Sequence, residues 1–315
     1  METPITFLGN EFGNRLYVKR EELYPVALGG NKARIAKPFF DEIDAGGYDS
    51  VVTYGSAGSN LCRVVAAMAA MQGLKCVAVM HGEDNDISLN LRLVRASGAS
   101  TVFCPVGEVA DTIEAVTEEL RRKGRRPFFI PGGGYGAIGA QAYVDCFDEI
   151  DAYERRSGVA FDHIFLPSGT GTTQAGLVCG KLLRNATCEI VGISIARERS
   201  RGESAVLECV RAYLAAKGIA VPDGRMEKAV VFEDAYTGGG YGCGDYAATT
   251  AYVYRKYALP LDNTYTGKAF YGMGQYLKER RTVERNVLFI NTGGVPSFFE
   301  DLIRGNNRSE GITAG

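Results

Sequence analysis

The stretch SVVTYGSAGSNLCRVVAAMAAMQGLKCVAVM, Ser50 to Met80, contains one full cycle of the pattern that sets the fold. Ser50–Tyr54 is short, apolar and rich in β-branched residues, and reads as a strand. Ser59 can cap a helix by accepting a backbone N–H. The run that follows, to Gln72, is long enough for three turns and full of good helix formers. Gly73 stops it, and Lys75–Met80 is a second apolar strand. A strand, a helix of about a dozen residues and another strand make a βαβ unit, whose strands must be parallel.

The alternation continues in both directions. A helix-like segment follows Gly29-Gly30. Beyond Met80 the pattern predicts helices over Asp86–Ser97, Val109–Lys123, Ala137–Arg156, Thr173–Arg184, Ser204–Lys217, Asp245–Tyr257 and Gly267–Arg281. It predicts strands over Thr101–Cys104, Pro127–Ile130, His163–Pro167, Glu189–Ala196, Ala229–Glu233 and Asn286–Asn291. The tail Arg304–Gly315 is polar and is expected to fray. The fold class is α/β, with open twisted parallel sheets and helices on both faces. A chain of 315 residues has room for about two domains. In such sheets ligands collect at the carboxyl ends of strands. The loops there are rich in glycine: Gly55–Ser59, Gly132–Gly136, Ser168–Thr173, Thr237–Gly244 and Thr292–Gly294.

Composition narrows the function. Net charge is −2 and the pI is near 5.9, with no basic patch, so nucleic acid is not the expected partner. No apolar run reaches the ~18 residues of a membrane span. The start, Met1-Glu2-Thr3-Pro4, does not read as a signal peptide. Eight scattered cysteines form no Cys-x-x-Cys pair, which points to a reducing, cytoplasmic setting without a disulfide framework. His81 and His163 are far apart, a structural role is expected of both, and zinc-ligand spacing is absent.

Several motifs carry chemistry. In Leu28-Gly29-Gly30-Asn31-Lys32-Ala33-Arg34, the glycines let the backbone turn and present Lys32 against an apolar segment. Desolvation lowers an ammonium's pKa and frees the amine to attack a carbonyl, as a Schiff-base lysine must; the alternative is a solvated loop lysine. Ser168-Gly169-Thr170-Gly171-Thr172-Thr173, between a strand and a helix, suits a phosphate group, since small residues let N–H groups converge at a helix N-terminus. The alternative is a tight turn with a threonine cap. No Gly-Lys-[Ser/Thr] follows, so this is no nucleoside-triphosphate loop. Gly134-Tyr135-Gly136-Ala137-Ile138-Gly139 fits a dinucleotide fingerprint, but the next strand ends Phe165-Leu166-Pro167-Ser168, without an acid for a ribose hydroxyl. Close packing of loop on sheet is the better use of these glycines. Ser59 and Asn60, opening a helix, can hold a carboxylate and a phenolate-like oxygen, or merely cap it. Tyr241 and Tyr265 sit in loops, as site residues or as buried anchors.

In this order the pieces resemble the pyridoxal-phosphate (PLP) enzymes of the tryptophan-synthase-β-like fold (fold type II). Within these the chain resembles the D-cysteine desulfhydrase and 1-aminocyclopropane-1-carboxylate deaminase group. The matching stretches run from Leu28–Arg34 through Gly58–Arg63, Asn90–Leu93, Pro131–Gly139, Gly169–Leu177 and Tyr265–Ala269 to Phe289–Pro296. The resemblance implies PLP between a large domain, residues 1–36 with 146–315, and a small one, residues 37–145. It implies that Lys32 carries the cofactor and Asn60 bonds its ring oxygen. Gly169, Thr170, Gly171, Thr172 and Thr173 would hold the phosphate. Ser59 would meet the substrate carboxylate, and Tyr241 and Tyr265 the reacting carbon or leaving group. The deaminases carry glutamate in place of Thr266 and leucine in place of Thr292. Here a neutral hydroxyl, that of Thr292, would meet the pyridine nitrogen and make a weaker electron sink. That favours α,β-elimination of a small amino acid, giving pyruvate, ammonia and the leaving group, in a homodimer. Cyclopropane-carboxylate deamination, β-replacement, a PLP-binding protein without turnover and a nicotinamide oxidoreductase are the alternatives. One departure bears on the substrate: desulfhydrases carry histidine and deaminases glutamine after the Ser-Asn pair, and this chain has Leu61.

Overall fold

The computed structural model describes residues 1–84, 88–222 and 224–310, with side chains described as far as Arg304. In chain order the strands are β1 (Ile5–Glu11), β2 (Asn14–Arg20), β3 (Ser50–Ser56), β4 (Lys75–His81), β5 (Ser100–Cys104), β6 (Pro127–Ile130), β7 (His163–Ser168), β8 (Glu189–Ser194), β9 (Val231–Glu233) and β10 (Asn286–Asn291). They form a six-stranded sheet, β1-β2-β10-β7-β8-β9, and a four-stranded sheet, β5-β4-β3-β6. Every pairing is parallel except β1 with β2.

The helices are α1 (Asn31–Gly46), α2 (Asn60–Met71), α3 (Leu89–Ala96), α4 (Val109–Arg122), α5 (Ala137–Ser157), α6 (Thr172–Arg184), α7 (Arg199–Ala216), α8 (Arg225–Ala229), α9 (Ala247–Tyr257), α10 (Thr266–Glu279) and α11 (Val295–Glu310). α2 and α4 both pack on the small sheet, and α6 and α10 on the large one. Covered on both faces, strands β7, β8 and β10 are buried over nearly their whole length, as continuous apolar runs require.

Some elements differ from the sequence expectation. β1 and β2 form an antiparallel hairpin that the βαβ rhythm does not announce. Its turn runs through Phe12 and Gly13, both at positive φ (52° and 75°), and β2 then pairs in parallel with β10. α7 starts at Arg199 rather than Ser204, because its polar first turn lacks apolar spacing. The 229–233 run is divided: Ala229 closes α8 and the strand begins at Val231. α11 was not anticipated and occupies part of the expected polar tail. The expected start of the third helix, Asp86 and Ile87, and the tail beyond Glu310 lie outside the described residues; α3 begins at Leu89, capped by the Ser88 hydroxyl.

A buried ion cluster fixes α1. Arg34 donates to Glu21 (2.7 and 2.9 Å) and to Glu149 on α5 (2.6 and 3.0 Å). Lys19 of β2 donates to Glu149 (2.6 Å) and to the Thr3 carbonyl (2.8 Å). Burial raises the Glu21 pKa, but the Arg34 guanidinium and Lys19 outweigh it and hold the carboxyl below its usual range. The cluster therefore joins the chain's first residues to the helix whose first turn carries Lys32.

Candidate active site

The five glycine-rich loops converge at the carboxyl ends of both sheets. They line a cavity of about 580 Å³, within the roughly 300–1,000 Å³ of small-molecule sites. Lys32, Ser59, Asn60, Gly169, Thr170, Gly171, Thr173, Tyr241, Tyr265 and Thr292 all line it. Thr172 does not. It is fully buried, with its Oγ1 3.3 Å from Thr170 Oγ1.

The turn before Lys32 is held by close backbone approach. A Cβ on Gly29 would lie 2.1 Å from the Glu22 carbonyl oxygen, and one on Gly30 2.9 Å from that of Thr292. Asn31 N–H donates to the same Thr292 oxygen (2.9 Å). So the 292–294 loop and the Lys32 helix are pressed together. Among the described residues the Lys32 ammonium meets only the Gly133 carbonyl (2.9 Å), with no carboxylate, and burial pushes its pKa down to about 8. Three other lysines are committed elsewhere. Lys19 is ion-paired to Glu149, and Lys37 is exposed and paired to Asp41. Lys268 spends all three N–H donors on the carbonyls of Ile195 (2.8 Å), Thr237 (2.6 Å) and Gly240 (2.8 Å).

Neighbours decide which atoms face the cavity. Asn60 Oδ1 accepts from Asn90 (3.2 Å) and Arg63 (3.3 Å), which assigns the Asn60 amide nitrogen to the open side as a donor. Ser59 caps α2, its oxygen accepting from Cys62 N–H (3.2 Å), and keeps its hydroxyl proton for a ligand. The Ser168–Thr173 loop runs into the N-terminus of α6, where Gly171 (φ 95°) leaves the first N–H groups without a side-chain cap. Thr173 accepts from Asn31 (2.9 Å), so its own proton is free to donate, and the buried Ser168 hydroxyl has no partner among the described residues.

Tyr241 and Tyr265 meet hydroxyl to hydroxyl at 2.8 Å. Loss of solvent raises both pKa values, that of Tyr265 far more. Asp262 is fully buried in the cavity wall. It accepts from the N–H of Thr264 (2.9 Å) and Tyr265 (2.7 Å) and from the Thr266 hydroxyl (2.8 Å), while burial pushes its pKa up to about 6. The Thr266 hydroxyl is thereby turned away from the cavity, and Thr292 is left as the hydroxyl on that side.

Residues 2–293 match the model of the pyridoxal-phosphate-dependent enzyme family. The chain belongs to that family. It is 32% identical over 306 residues to a putative 1-aminocyclopropane-1-carboxylate deaminase of Pyrococcus abyssi, covering 95% of this chain and 91% of that protein. It is 30% identical to a D-cysteine desulfhydrase of Yersinia pestis, over 93% and 90% of the two chains. The crystal structure of an ACC deaminase homologue superposes with a TM-score of 0.86 at 31% identity, over 96% and 94% of the two chains. The fold is the tryptophan-synthase-β-like fold of PLP enzymes, and the protein is a PLP-dependent enzyme of the deaminase and desulfhydrase group.

The residues present fit PLP. The cavity offers a depressed-pKa amine for an aldehyde, an uncapped helix start with an unpartnered buried Ser168 hydroxyl for a phosphate, and the Asn60 amide donor for a ring oxygen. The Gly134–Gly139 stretch serves packing: a Cβ on Gly139 would lie 1.9 Å from the Gly134 carbonyl oxygen. No helix among the described residues is long and apolar enough to cross a membrane. Four polar cavity residues are not marked by any sequence motif: Asp262 is a lone loop carboxylate, Arg197 follows a strand end and donates to the Thr170 carbonyl (3.3 Å), and Tyr54 and His81 stand near the ends of two strands.

Proposed function

We propose that this PLP enzyme is a lyase of the D-cysteine desulfhydrase type. It would expel a β-substituent from a small amino acid and yield pyruvate, ammonia and the leaving group. The observation that carries the reading is at the deaminases' glutamate position: Thr266 is bound to Asp262 and out of the cavity, and a neutral hydroxyl, Thr292, remains. A hydroxyl stabilises a protonated ring nitrogen less than a carboxylate does. Expulsion of a good leaving group tolerates such a sink better than opening a carbon ring does.

Bound PLP supplies the electron sink that lets a bond at the substrate's α-carbon ionise. The chain's residues do the rest. Ser59 and the N-terminus of α2 hold the substrate carboxylate. Lys32, being a weak base for a lysine, takes the proton from the α-carbon near neutral pH. The β-substituent departs with the bonding pair. Tyr241 and Tyr265, kept protonated by their raised pKa values, give it a proton. The enamine released hydrolyses in water to pyruvate and ammonia.

A second reading is cyclopropane-carboxylate deamination, and Asp262 is the observation in its favour. Its carboxylate lies in the cavity wall 2.4 Å from where a Cβ on Gly294 would sit, two residues from Thr292, and can lend negative charge to that side. The test is a comparison of pyruvate release from D- and L-cysteine with 2-oxobutyrate release from the cyclopropane substrate. Faster pyruvate release supports elimination; equal or faster ring opening makes the deaminase reading correct. The same proposal takes the enzyme as a cytoplasmic homodimer with domains 1–36 plus 146–315 and 37–145. The separation of β3–β6 into their own sheet supports two domains, with α1 and α5 each running across a boundary between them. The burial of seven of the eight cysteines as free thiols accords with a reducing compartment.

A further inference from the structure

The small-sheet wall of the cavity carries two polar side chains that the chemistry above does not use. Tyr54 and His81 stand at the carboxyl ends of β3 and β4, and both line the cavity. Their rings are in contact, with centroids 5.5 Å apart. In the parallel register His81 faces Ser56, two residues beyond Tyr54, so the three side chains share one face of the sheet. Ser56 opens the loop that leads to Ser59 and Asn60. The pair therefore adjoins the place where the substrate's carboxylate is held.

Neither side chain has a hydrogen bond to the described residues. His81 Nδ1 is buried without a partner. An orphaned buried N–H is rarer and costlier than an orphaned acceptor. The favoured tautomer thus places the proton on Nε2, at the accessible side of the ring. Loss of solvent keeps the Tyr54 hydroxyl protonated. Each of the two touching rings then brings a donor to the same cavity-lining face of the small sheet. The neighbouring Leu61 is buried in the same wall and can only pack.

We propose that Tyr54 and His81 form a subsite for the substrate's β-substituent, and that the preferred substituent carries a hydrogen-bond-accepting oxygen, such as a carboxylate, rather than ending in a bare thiol or alkyl group. This rests on the amino-acid lyase reading for its substrate and names the substrate class of that site. The subsite recognises the far end of the side chain. The bond that breaks remains the one between the β-carbon and its heteroatom.

Binding tests the subsite without requiring turnover. With the PLP-loaded enzyme, dissociation constants are measured for 2-aminoadipate and norleucine, in both enantiomers, from the change in cofactor absorbance. Neither ligand has a β-leaving group, and they are matched in length up to the terminal carboxylate. The expected result is 2-aminoadipate binding about tenfold tighter, the worth of one hydrogen bond to a charged group. His81→Phe and Tyr54→Phe, which keep ring volume, should each bring that ratio close to one. His81→Gln, which restores a donor, should recover most of it. Equal affinities in the native enzyme, or a ratio unmoved in both phenylalanine variants, would overturn the subsite. S-carboxymethylcysteine against S-ethylcysteine, read as pyruvate, is the second arm. No pyruvate from either, nor from D- or L-cysteine, refutes the lyase reading while leaving the binding ratio to judge the subsite.

Discussion

A lysine that burial has disarmed as a cation should show it in two separable ways. The Lys32 pKa is near 8, against 10.5 for an ordinary lysine. At pH 7 about a tenth of it is then neutral, roughly 300 times the neutral fraction of an exposed lysine. Trace labelling of the apoprotein with an amine-specific acylating reagent, read peptide by peptide, should put the Lys32 midpoint near 8. Lys37, which Asp41 holds above its usual range, serves as the internal control and should titrate later. The second effect is on stability. Between about 8 and 10.5 the unfolded chain binds a proton at this site that the folded one does not, so the group's contribution rises with pH across that window. Below it, keeping Lys32 charged and buried costs about 3 kcal/mol, at about 1.4 kcal/mol for each tenfold in acidity. Lys32→Met removes that cost and also the bond to Gly133, worth about 1 kcal/mol. The variant apoprotein should therefore be more stable by about 2 kcal/mol in urea at pH 7, with the gain shrinking towards pH 10.5. A variant no more stable than the native chain, with Lys32 labelling alongside Lys37, would refute the desolvation argument.

Other consequences are as definite. Thr173→Val should weaken PLP binding about tenfold by removing a donor, whereas Thr172→Val, whose hydroxyl lies against that of Thr170 and outside the cavity lining, should have a smaller effect; equal losses would misplace the phosphate. Gly29→Ala puts a Cβ 2.1 Å from the Glu22 carbonyl at φ 68°, so the turn must open; its melting temperature and cofactor content should fall together, and normal cofactor retention would show the turn to be dispensable. Arg34→Ala leaves Glu21 buried without its main partner and should cost about 3–5 kcal/mol in urea unfolding. Because the Glu21 pKa is depressed in the folded state, its stabilisation is present above about 4.5 and lost as pH falls further; Glu21→Gln should flatten the acid limb of the stability profile.

Most of the layered architecture was legible because buried parallel strands and their crossover helices write themselves as runs and periods. The hairpin at the start was not, since Leu16, Tyr17 and Val18 are all buried and β2 shows no alternation: it lies inside the sheet, between β1 and β10. α11 was missed because its sequence is polar beyond Ile303 and, among its described side chains, Phe298 is the one large side chain buried in the core. In the site, glycine and hydroxyl density exposed the loops that need close backbone approach, and Lys32 could be read from the turn that presents it. Asp262 and His81 could not, for a single carboxylate or imidazole at a strand or loop end has no spacing to betray it. Their environment became visible only when distant loops met around one cavity.

The three carbonyls gripped by Lys268 bear on how this enzyme could be altered. The ammonium reads main-chain oxygens, which every residue type supplies. It therefore anchors the glycine-rich segment from Thr237 to Gly240 through its backbone, and with it Tyr241. The glycines of that segment must stay, since Gly238, Gly239 and Gly240 lie at positive φ (62°, 96° and 135°) and a Cβ on Gly238 would lie 2.7 Å from the Tyr246 hydroxyl. Tyr241, beyond them, is the side chain that can be exchanged to reshape that wall for other amino acids, while the Lys268 mount and the lysine across the cavity stay as they are.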